Sequence, residues 1–295
     1  MKQARPELIN VPLMQYFSLK REPFSDNIKA TELCELPSVK EISSIVEMVC
    51  MNHCHFAFTG PTGSGKSTIL RYVCDRQERL GSRVLMINGG DWGFGEFLRQ
   101  VMERLSIDYR SYHPSTMIRL IQVQMAKSEE DGHPVLLALD EADKLRNEVF
   151  HQLHLIVSAP EKGASLASIL VCGQDALADK LTNPMAMPLR SRMYPGYYIP
   201  SINRQVYRTY VQHHMRLCGL RDDCIEDLAL EHIWKATSGN LRSIGMTFRF
   251  ALQYAANHDF GKIDAACAKA AFSDWWDTSG MVDAFAELQE PDHAG

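Results

Sequence analysis

The sequence predicts an α/β protein with a parallel sheet covered by helices on both faces, followed by a small C-terminal domain made only of helices. Apolar runs that lack polar alternation are separated by stretches with helical spacing, which is typical of buried parallel strands. From about residue 200 the strand-like runs stop and only the helical spacing continues. The chain has 295 residues, of which 45% are hydrophobic and 23% charged, as in an ordinary globular protein.

Strands and helices are expected to alternate along the first two thirds of the chain. The expected strands are short and almost wholly apolar: 55–59, 83–87, 134–139, 166–171 and 197–199. The expected helices place apolar residues every three or four positions: 39–51, one that ends near 80, 94–105, 115–127, 149–157, 204–218, 223–236, 241–258 and 263–276.

These elements divide the chain into four segments. We expect an N-terminal extension over 1–38, an α/β domain over 39–200, a helical domain over 201–276 and a flexible acidic tail over 277–295. No apolar run approaches the ~18 residues of a membrane span, and the first residues lack the apolar core of a secretory signal. These features predict a soluble cytoplasmic protein without membrane contact.

A phosphate-binding loop is the most specific motif in the sequence. Residues 60–68 read GPTGSGKST, which fits the pattern GxxxxGK[ST] between an expected strand and an expected helix. In such a loop the glycines allow backbone N–H groups to turn towards a phosphate, the lysine reaches the β- and γ-phosphates and the hydroxyl ligates Mg²⁺. The predicted cofactors are therefore ATP and Mg²⁺, held by Gly60, Pro61, Thr62, Gly63, Ser64, Gly65, Lys66, Ser67 and Thr68.

Two neighbouring acids follow the third expected strand. Asp140 and Glu141 fall at its carboxyl end, where ligands bind in open parallel sheets. We expect Asp140 to hold Mg²⁺, usually through water, and Glu141 to polarise the attacking water. This arrangement favours an ATPase that forms ADP and phosphate.

Two other classes of nucleotide enzyme share parts of this pattern. The string DEAD at 140–143 also names a group of helicases, but these need a second domain with an Arg-rich HRxGR motif, which does not occur in the residues that follow. An NKxD segment that would read guanine is also missing, which disfavours a GTPase.

Four polar residues outside the two motifs are candidates for the hydrolytic site. Gln174 follows the fourth expected strand, beside the second carboxylate, where it would orient the lytic water. Arg190 and Arg192 precede the fifth strand, where an arginine commonly faces a neighbouring protomer and stabilises charge on the γ-phosphate. Arg242 begins a helix of the helical domain and would approach the same phosphate from within its own chain.

Taken together, the motifs resemble those of AAA+ P-loop ATPases over residues ~15 to ~275. The similarity is carried by YFSL and PF before residue 25, GPTGSGKST, LALDEADKL, LVCGQ and SGNLR. Among AAA+ proteins the chain is most similar to the ExeA-like group and to transposition regulators of the TniB, TnsC and MuB type. The resemblance implies a five-stranded parallel sheet with a helical lid, ATP at the junction, and a ring or helical filament in which Arg190 or Arg192 completes the next subunit's site.

The resemblance leaves two functional classes open. The preferred one is an ATP-dependent regulator of transposition that oligomerises on double-stranded DNA without reading its sequence, marks the target, and recruits or activates a transposase, with a targeting adaptor as a further partner. The rival is a cytoplasmic AAA+ ATPase that acts on protein clients, such as an ExeA-like secretion or stress-response switch. ExeA-type proteins have a membrane span and a wall-binding domain, which this chain lacks, so the first class is favoured.

Two regions are candidates for DNA contact. The favoured one is the helical pair between strands two and three, with Arg99, Arg104, Arg110, Arg119 and Lys127. The alternative is the acid-free segment, residues 181–221, which contains six arginines and five tyrosines and no Asp or Glu, although the net charge of the chain is -5. The acidic tail at 282–290 is a candidate hook for a transposase or adaptor.

Overall fold

The computed structural model describes residues 12–25, 28–108, 113–159 and 165–273. These form two compact units. Residues 35–200 make the α/β unit, and residues 12–34 together with 201–273 make the helical unit. The segment that the sequence presents as a separate extension therefore contributes residues 12–34 to the helical unit. Arg110 and the tail after residue 273 lie outside the described residues.

The α/β unit is built on one parallel sheet, as the sequence predicts. Its strands are β1 (His55–Thr59), β2 (Arg83–Asn88), β3 (Val135–Asp140), β4 (Ala167–Gly173) and β5 (Tyr197–Tyr198). Their order in the sheet is β2-β3-β4-β1-β5, and all pairs are parallel. Every residue of β3 and β4 is buried, which explains why these strands show no polar alternation.

In the described residues, twelve α-helices accompany the sheet. They are α1 (Leu13–Tyr16), α2 (Pro37–Met51), α3 (Lys66–Arg79), α4 (Phe94–Arg104), α5 (Pro114–Glu130), α6 (Asn147–Val157), α7 (Ala176–Thr182), α8 (Met187–Arg190), α9 (Arg204–Cys218), α10 (Asp227–Thr237), α11 (Leu241–Asn257) and α12 (Ala265–Ser273). No helix of the described ranges has the length and apolarity needed to cross a bilayer.

The observed helices differ from the predicted ones in number and in one starting residue. Helices α1, α7 and α8 were not predicted, because they are too short to show helical spacing of apolar residues. Helix α10 begins at Asp227 rather than at 223, since residues 222–224 form a 3₁₀ turn and Ile225 then bridges to Ile263 in extended conformation.

An aromatic stack joins the N-terminal segment to the helical unit. The ring centroid of Phe24 lies 4.8 Å from the ring centroid of His214 and 4.8 Å from that of Phe248, and the Phe24 ring is nearly parallel to both. A Cβ added to Gly245 would come within 3.0 Å of the Phe24 Cβ, so the helix offers a glycine where the aromatic residue packs. Phe24 is buried although its φ is +51°, a conformation that costs energy for a bulky residue. Packing therefore compensates a strained backbone.

We expect Phe24→Ala to lower the free energy of unfolding of the helical unit by about 3–5 kcal/mol, the usual cost of removing a buried phenylalanine. Urea titration followed by circular dichroism measures the change. The control is Phe260→Ala, because Phe260 is 40% exposed and its loss should cost much less. Equal effects of the two substitutions would contradict the packing role of Phe24.

Candidate nucleotide-binding site

The glycine-rich loop connects β1 to α3, as the sequence predicts. Gly63 and Gly65 adopt φ values of +80° and +90°, and Gly65 is the residue that caps α3. Both conformations disfavour any residue with a Cβ. At Gly60 a Cβ would stand 2.5 Å from the carbonyl oxygen of Ile199, so lack of space requires glycine there. The loop is thus fixed where helix α3 presents its free N–H groups.

Lys66 is the first residue of α3 and its side chain folds back over the loop. Its Nζ donates to the carbonyl oxygens of Gly60 and Pro61, each at 2.8 Å. Burial lowers the pKa of the ammonium, and the nearby Cys172, Asp143 and Asp140 oppose that shift. The cation therefore sits partly desolvated among acidic groups, within reach of the loop interior.

The first acid, Asp140, ends β3 and is buried. Its Oδ1 accepts the N–H of Glu141 at 2.8 Å and the thiol of Cys172, on the adjacent strand β4, at 3.0 Å. Burial, and then the charge of Asp140, raise the pKa of the Cys172 thiol well above its ordinary value. The thiol is a feature that sequence analysis did not identify.

The second acid, Glu141, occupies a turn that is unusual for a non-glycine residue. Its φ and ψ are +47° and +37°, which is the left-handed region. A Cβ at Gly89, after β2, would lie 2.2 Å from the Glu141 carbonyl oxygen, so a glycine on the neighbouring loop makes room for this turn. The Glu141 carboxylate is half exposed and pairs with Lys144 at 2.5 Å. Such an exposed pair opens easily, since water screens it.

Gln174 links the end of β4 to the phosphate loop. Its Oε1 accepts from the Thr62 hydroxyl at 3.1 Å, and its backbone N–H donates to Asp143 Oδ1 at 2.9 Å. The loop, the residue after β4 and the acidic segment after β3 are therefore joined by hydrogen bonds. Sequence spacing alone indicated Gln174, but not Thr62 as its partner.

These residues fit a nucleoside triphosphate with a divalent cation. The loop presents left-handed glycines, a helix start and a lysine, which suit phosphate oxygens. Ser67 on α3 and Asp140 are the oxygen donors that would hold Mg²⁺. Ser64 Oγ is buried and has no hydrogen-bond partner in the described part of the chain, so a polar atom remains inside the loop.

The structure places the candidate arginines on exposed surfaces. Arg190 ends α8, where its Nη2 lies 3.7 Å from Met187 Sδ, and Arg192 follows two residues later. Neither forms an ion pair within the described ranges, and both are exposed. Arg242 is the second residue of α11 in the helical unit and is also exposed.

The acid-free segment carries less free charge than its sequence indicates. Four of its six arginines form ion pairs within the helical unit: Arg204–Glu231, Arg208–Asp227, Arg216–Asp222 and Arg221–Asp223. The acids come from residues 222–231, directly beyond the segment, so a count along the sequence could not detect the neutralisation. Arg190 and Arg192 remain as its unpaired cations in the described residues.

The residues of the favoured DNA region lie on α4 and α5. Arg99 pairs with Glu96 at 2.5 Å. Arg104, Arg119 and Lys127 are exposed and form no ion pair in the described part of the chain. Of the four cations of this region that the structure describes, three are therefore unpaired within the described ranges, in contrast to the acid-free segment.

Fold and site together define the class of protein. A parallel sheet in the order β2-β3-β4-β1-β5, with a phosphate loop after β1 and two neighbouring acids at the end of β3, has the arrangement of the AAA+ fold. Residues 51–181 match the family model described as an AAA domain.

The chain is similar to a curated protein in sequence and to solved structures in fold. General secretion pathway protein A of Aeromonas hydrophila is 21% identical over 189 residues, which are 64% of this chain and 34% of that protein. The chain thus spans about a third of this curated relative's length. The ORC2 protein of Aeropyrum pernix, solved as ADPNP-ADP complexes, has a TM-score of 0.65 at 15% identity, covering 87% of this chain and 72% of that one. Drosophila ORC bound to DNA has a TM-score of 0.68 at 14% identity, covering 96% and 71%. At such identities the structural likeness shows the fold alone.

Proposed function

We propose that the protein binds ATP with Mg²⁺ and hydrolyses the nucleotide to ADP and phosphate. The proposal depends above all on one observation: Gln174, directly after β4, is hydrogen-bonded both to Thr62 of the phosphate loop and to Asp143 of the acidic segment. When bound, the nucleotide supplies the phosphoanhydride and the cation offsets its charge. Lys66 and the loop N–H groups bind the phosphates, and Ser67 with Asp140 orients the cation.

In this proposal, Glu141 holds the attacking water and takes its proton. The half-exposed carboxylate breaks its ion pair with Lys144 and accepts a hydrogen bond from water. The left-handed turn at Glu141 suits the carboxylate to this role. Gln174 and the arginines act as polar supports, with Gln174 held by Thr62 and the arginines exposed. Hydrolysis also needs a cation near the γ-phosphate. We assign this role to Arg190 or Arg192 of a neighbouring subunit and to Arg242 of the same chain.

The separate roles of Arg190 and Arg192 can be measured in mixtures. Each is replaced by alanine in turn and mixed with Lys66→Ala protein, whose own site is disabled but whose arginines are intact. We expect one arginine variant to be inactive alone and to recover hydrolysis in the mixture, because its intact site receives the partner's arginine. Phosphate release measures this recovery. If both variants hydrolyse ATP normally alone, neither arginine acts in trans.

We further propose that ATP-bound subunits assemble on double-stranded DNA as a ring or helical filament. In the described part of the chain, three cations on α4 and α5 form no ion pair, namely Arg104, Arg119 and Lys127, and they support this assignment. Contacts to the phosphate backbone would make binding independent of base sequence and sensitive to salt. The fold shared with Drosophila ORC, which was solved bound to DNA, is consistent with such a role. The process we assign is transposition, in which the assembly marks the target and recruits or activates a transposase.

DNA binding is tested by electron microscopy and by fluorescence anisotropy with a random duplex. We expect assemblies on DNA only when ATP is present. Combining Arg104→Ala, Arg119→Ala and Lys127→Ala should weaken binding and reduce the slope of log K against log salt by about 0.9 for each DNA phosphate that is no longer neutralised. The control is Arg208→Ala, whose guanidinium is already paired with Asp227. Affinity unchanged by the triple substitution would contradict the assigned surface.

A second candidate function is a switch that acts on a protein client. The relative named General secretion pathway protein A favours it, although the match covers only 34% of that protein. Indifference of ATP hydrolysis and assembly to DNA would support this function over the first. Stimulation of hydrolysis by a transposase in the presence of DNA would support transposition.

A further inference from the structure

Cys172 is a buried residue in direct contact with the candidate metal site. It lies on β4, whose pairing with β3 sets Leu139 opposite Val171, so that Asp140 and Cys172 follow side by side. The Cys172 side chain is completely buried, and its Sγ lies 3.0 Å from Asp140 Oδ1. A buried thiol that only fills space would need no polar partner. Here the thiol donates to a carboxylate.

Both hydrogen bonds that Asp140 accepts from the described residues fall on the same oxygen. Oδ1 receives the Cys172 thiol at 3.0 Å and the Glu141 N–H at 2.8 Å. Over the described ranges, no donor is found for Oδ2. One donor comes from the next residue of the chain and the other from the neighbouring strand, so the two together fix the rotation of the carboxylate group. Oδ2 is left for a cation or for its bound water.

We infer that Cys172 is a positioning residue, which holds the Asp140 carboxylate so that Oδ2 faces the metal ion. The inference rests on the proposed function, in which Asp140 serves Mg²⁺. A thiol suits the task because it is a weak donor. It orients the carboxylate and withdraws little of the negative charge that the cation needs. Residues that orient metal ligands in this way typically contribute about 10–100-fold to metal affinity.

Three substitutions separate positioning from packing. Cys172→Ser keeps a donor at nearly the same place, Cys172→Val keeps the volume without a donor, and Cys172→Ala removes both. The probe is Mn²⁺ binding, followed by electron paramagnetic resonance, to protein saturated with a non-hydrolysable ATP analogue. Binding of the analogue in EDTA is measured in parallel, because the loop and Lys66 hold the phosphates without the metal.

We expect Cys172→Val and Cys172→Ala to bind Mn²⁺ about tenfold more weakly than the parent protein. Cys172→Ser should stay within about twofold, since a hydroxyl also donates to the carboxylate. Binding of the analogue in EDTA should be equal in all four proteins. Equal Mn²⁺ affinity of the parent and the valine variant, or a serine variant as weak as valine, would overturn the inference and leave Cys172 as core.

Other outcomes are also decisive. If the parent protein binds the analogue but no Mn²⁺, the proposed role of Asp140 fails, and the inference fails with it. If the valine and alanine variants do not fold, the S–H stretching band of the parent, assigned by its loss in Cys172→Ser, is followed by Raman spectroscopy. A hydrogen-bonded thiol whose band shifts when Mn²⁺ and the analogue bind supports positioning, and a band at the frequency of a free thiol overturns it.

Discussion

Glu141→Gln is expected to reduce the rate of ATP hydrolysis by about 10²–10⁴-fold, the usual contribution of a general base. Glutamine has nearly the same shape but cannot take the proton of water. The backbone of residue 141 is already in the left-handed region with Gly89 against its carbonyl group, and glutamine keeps that arrangement. ATP binding should therefore be retained, and assemblies that depend on bound ATP should persist longer.

Phosphate release under saturating Mg²⁺ and ATP measures the rate, and a fluorescent nucleotide measures the binding. Glu130→Gln is the matched control, because Glu130 is an exposed residue at the end of α5. It should hydrolyse ATP like the parent protein. Hydrolysis at the parental rate by Glu141→Gln would show that another group is the base.

Lys66→Ala is expected to abolish nucleotide binding. The ammonium would exchange its two bonds to the Gly60 and Pro61 carbonyls for bonds to phosphate oxygens, and alanine can make neither. Each bond to a charged group contributes about 1.5–3 kcal/mol, so affinity should fall at least about a hundredfold. Two loop carbonyls also lose their donor. Titration calorimetry with ATP and Mg²⁺ measures the loss.

The matched control is Lys40→Ala, since Lys40 is exposed on α2 and pairs only with Glu35 in the described residues. Its affinity for ATP should equal that of the parent protein. If Lys66→Ala binds ATP as tightly as Lys40→Ala, the phosphates are held elsewhere.

The sequence predicted the sheet because its signals are local. Strands β3 and β4 are buried on both faces, and so their apolar runs are unbroken. The phosphate loop could be predicted equally well, since its glycines, its lysine and the following helix are contiguous in the sequence. Helices α7 and α8 gave no signal because they are too short for a repeating apolar pattern.

Contacts between segments that are distant in the chain could not be predicted from the sequence. Phe24 packs on His214 and Phe248, about two hundred residues away along the chain, and no pattern near Phe24 indicates which helix receives it. Cys172 lies in an apolar run where a thiol is ordinary core, and its partner Asp140 is revealed only by the register of β3 against β4. In both cases the information resides in tertiary pairing rather than in local spacing.

Charge patterns were the least reliable guide. The acid-free segment indicated a strongly basic surface, but four of its arginines are neutralised by acids that begin at residue 222. The sequence favoured Arg104, Arg119 and Lys127 by their place between strands two and three, and these cations form no ion pair within the described ranges. Which charges are free depends on the fold.

Equilibrium binding of ATP to the purified protein, with and without Mg²⁺, tests whether the loop holds a nucleotide. We expect one site per chain, tighter binding with Mg²⁺, and loss of the heat of binding when excess ADP already fills the site. A protein that takes up no adenine nucleotide in the presence of Mg²⁺ would contradict the assignment of the loop, and with it the proposed hydrolysis and assembly on DNA.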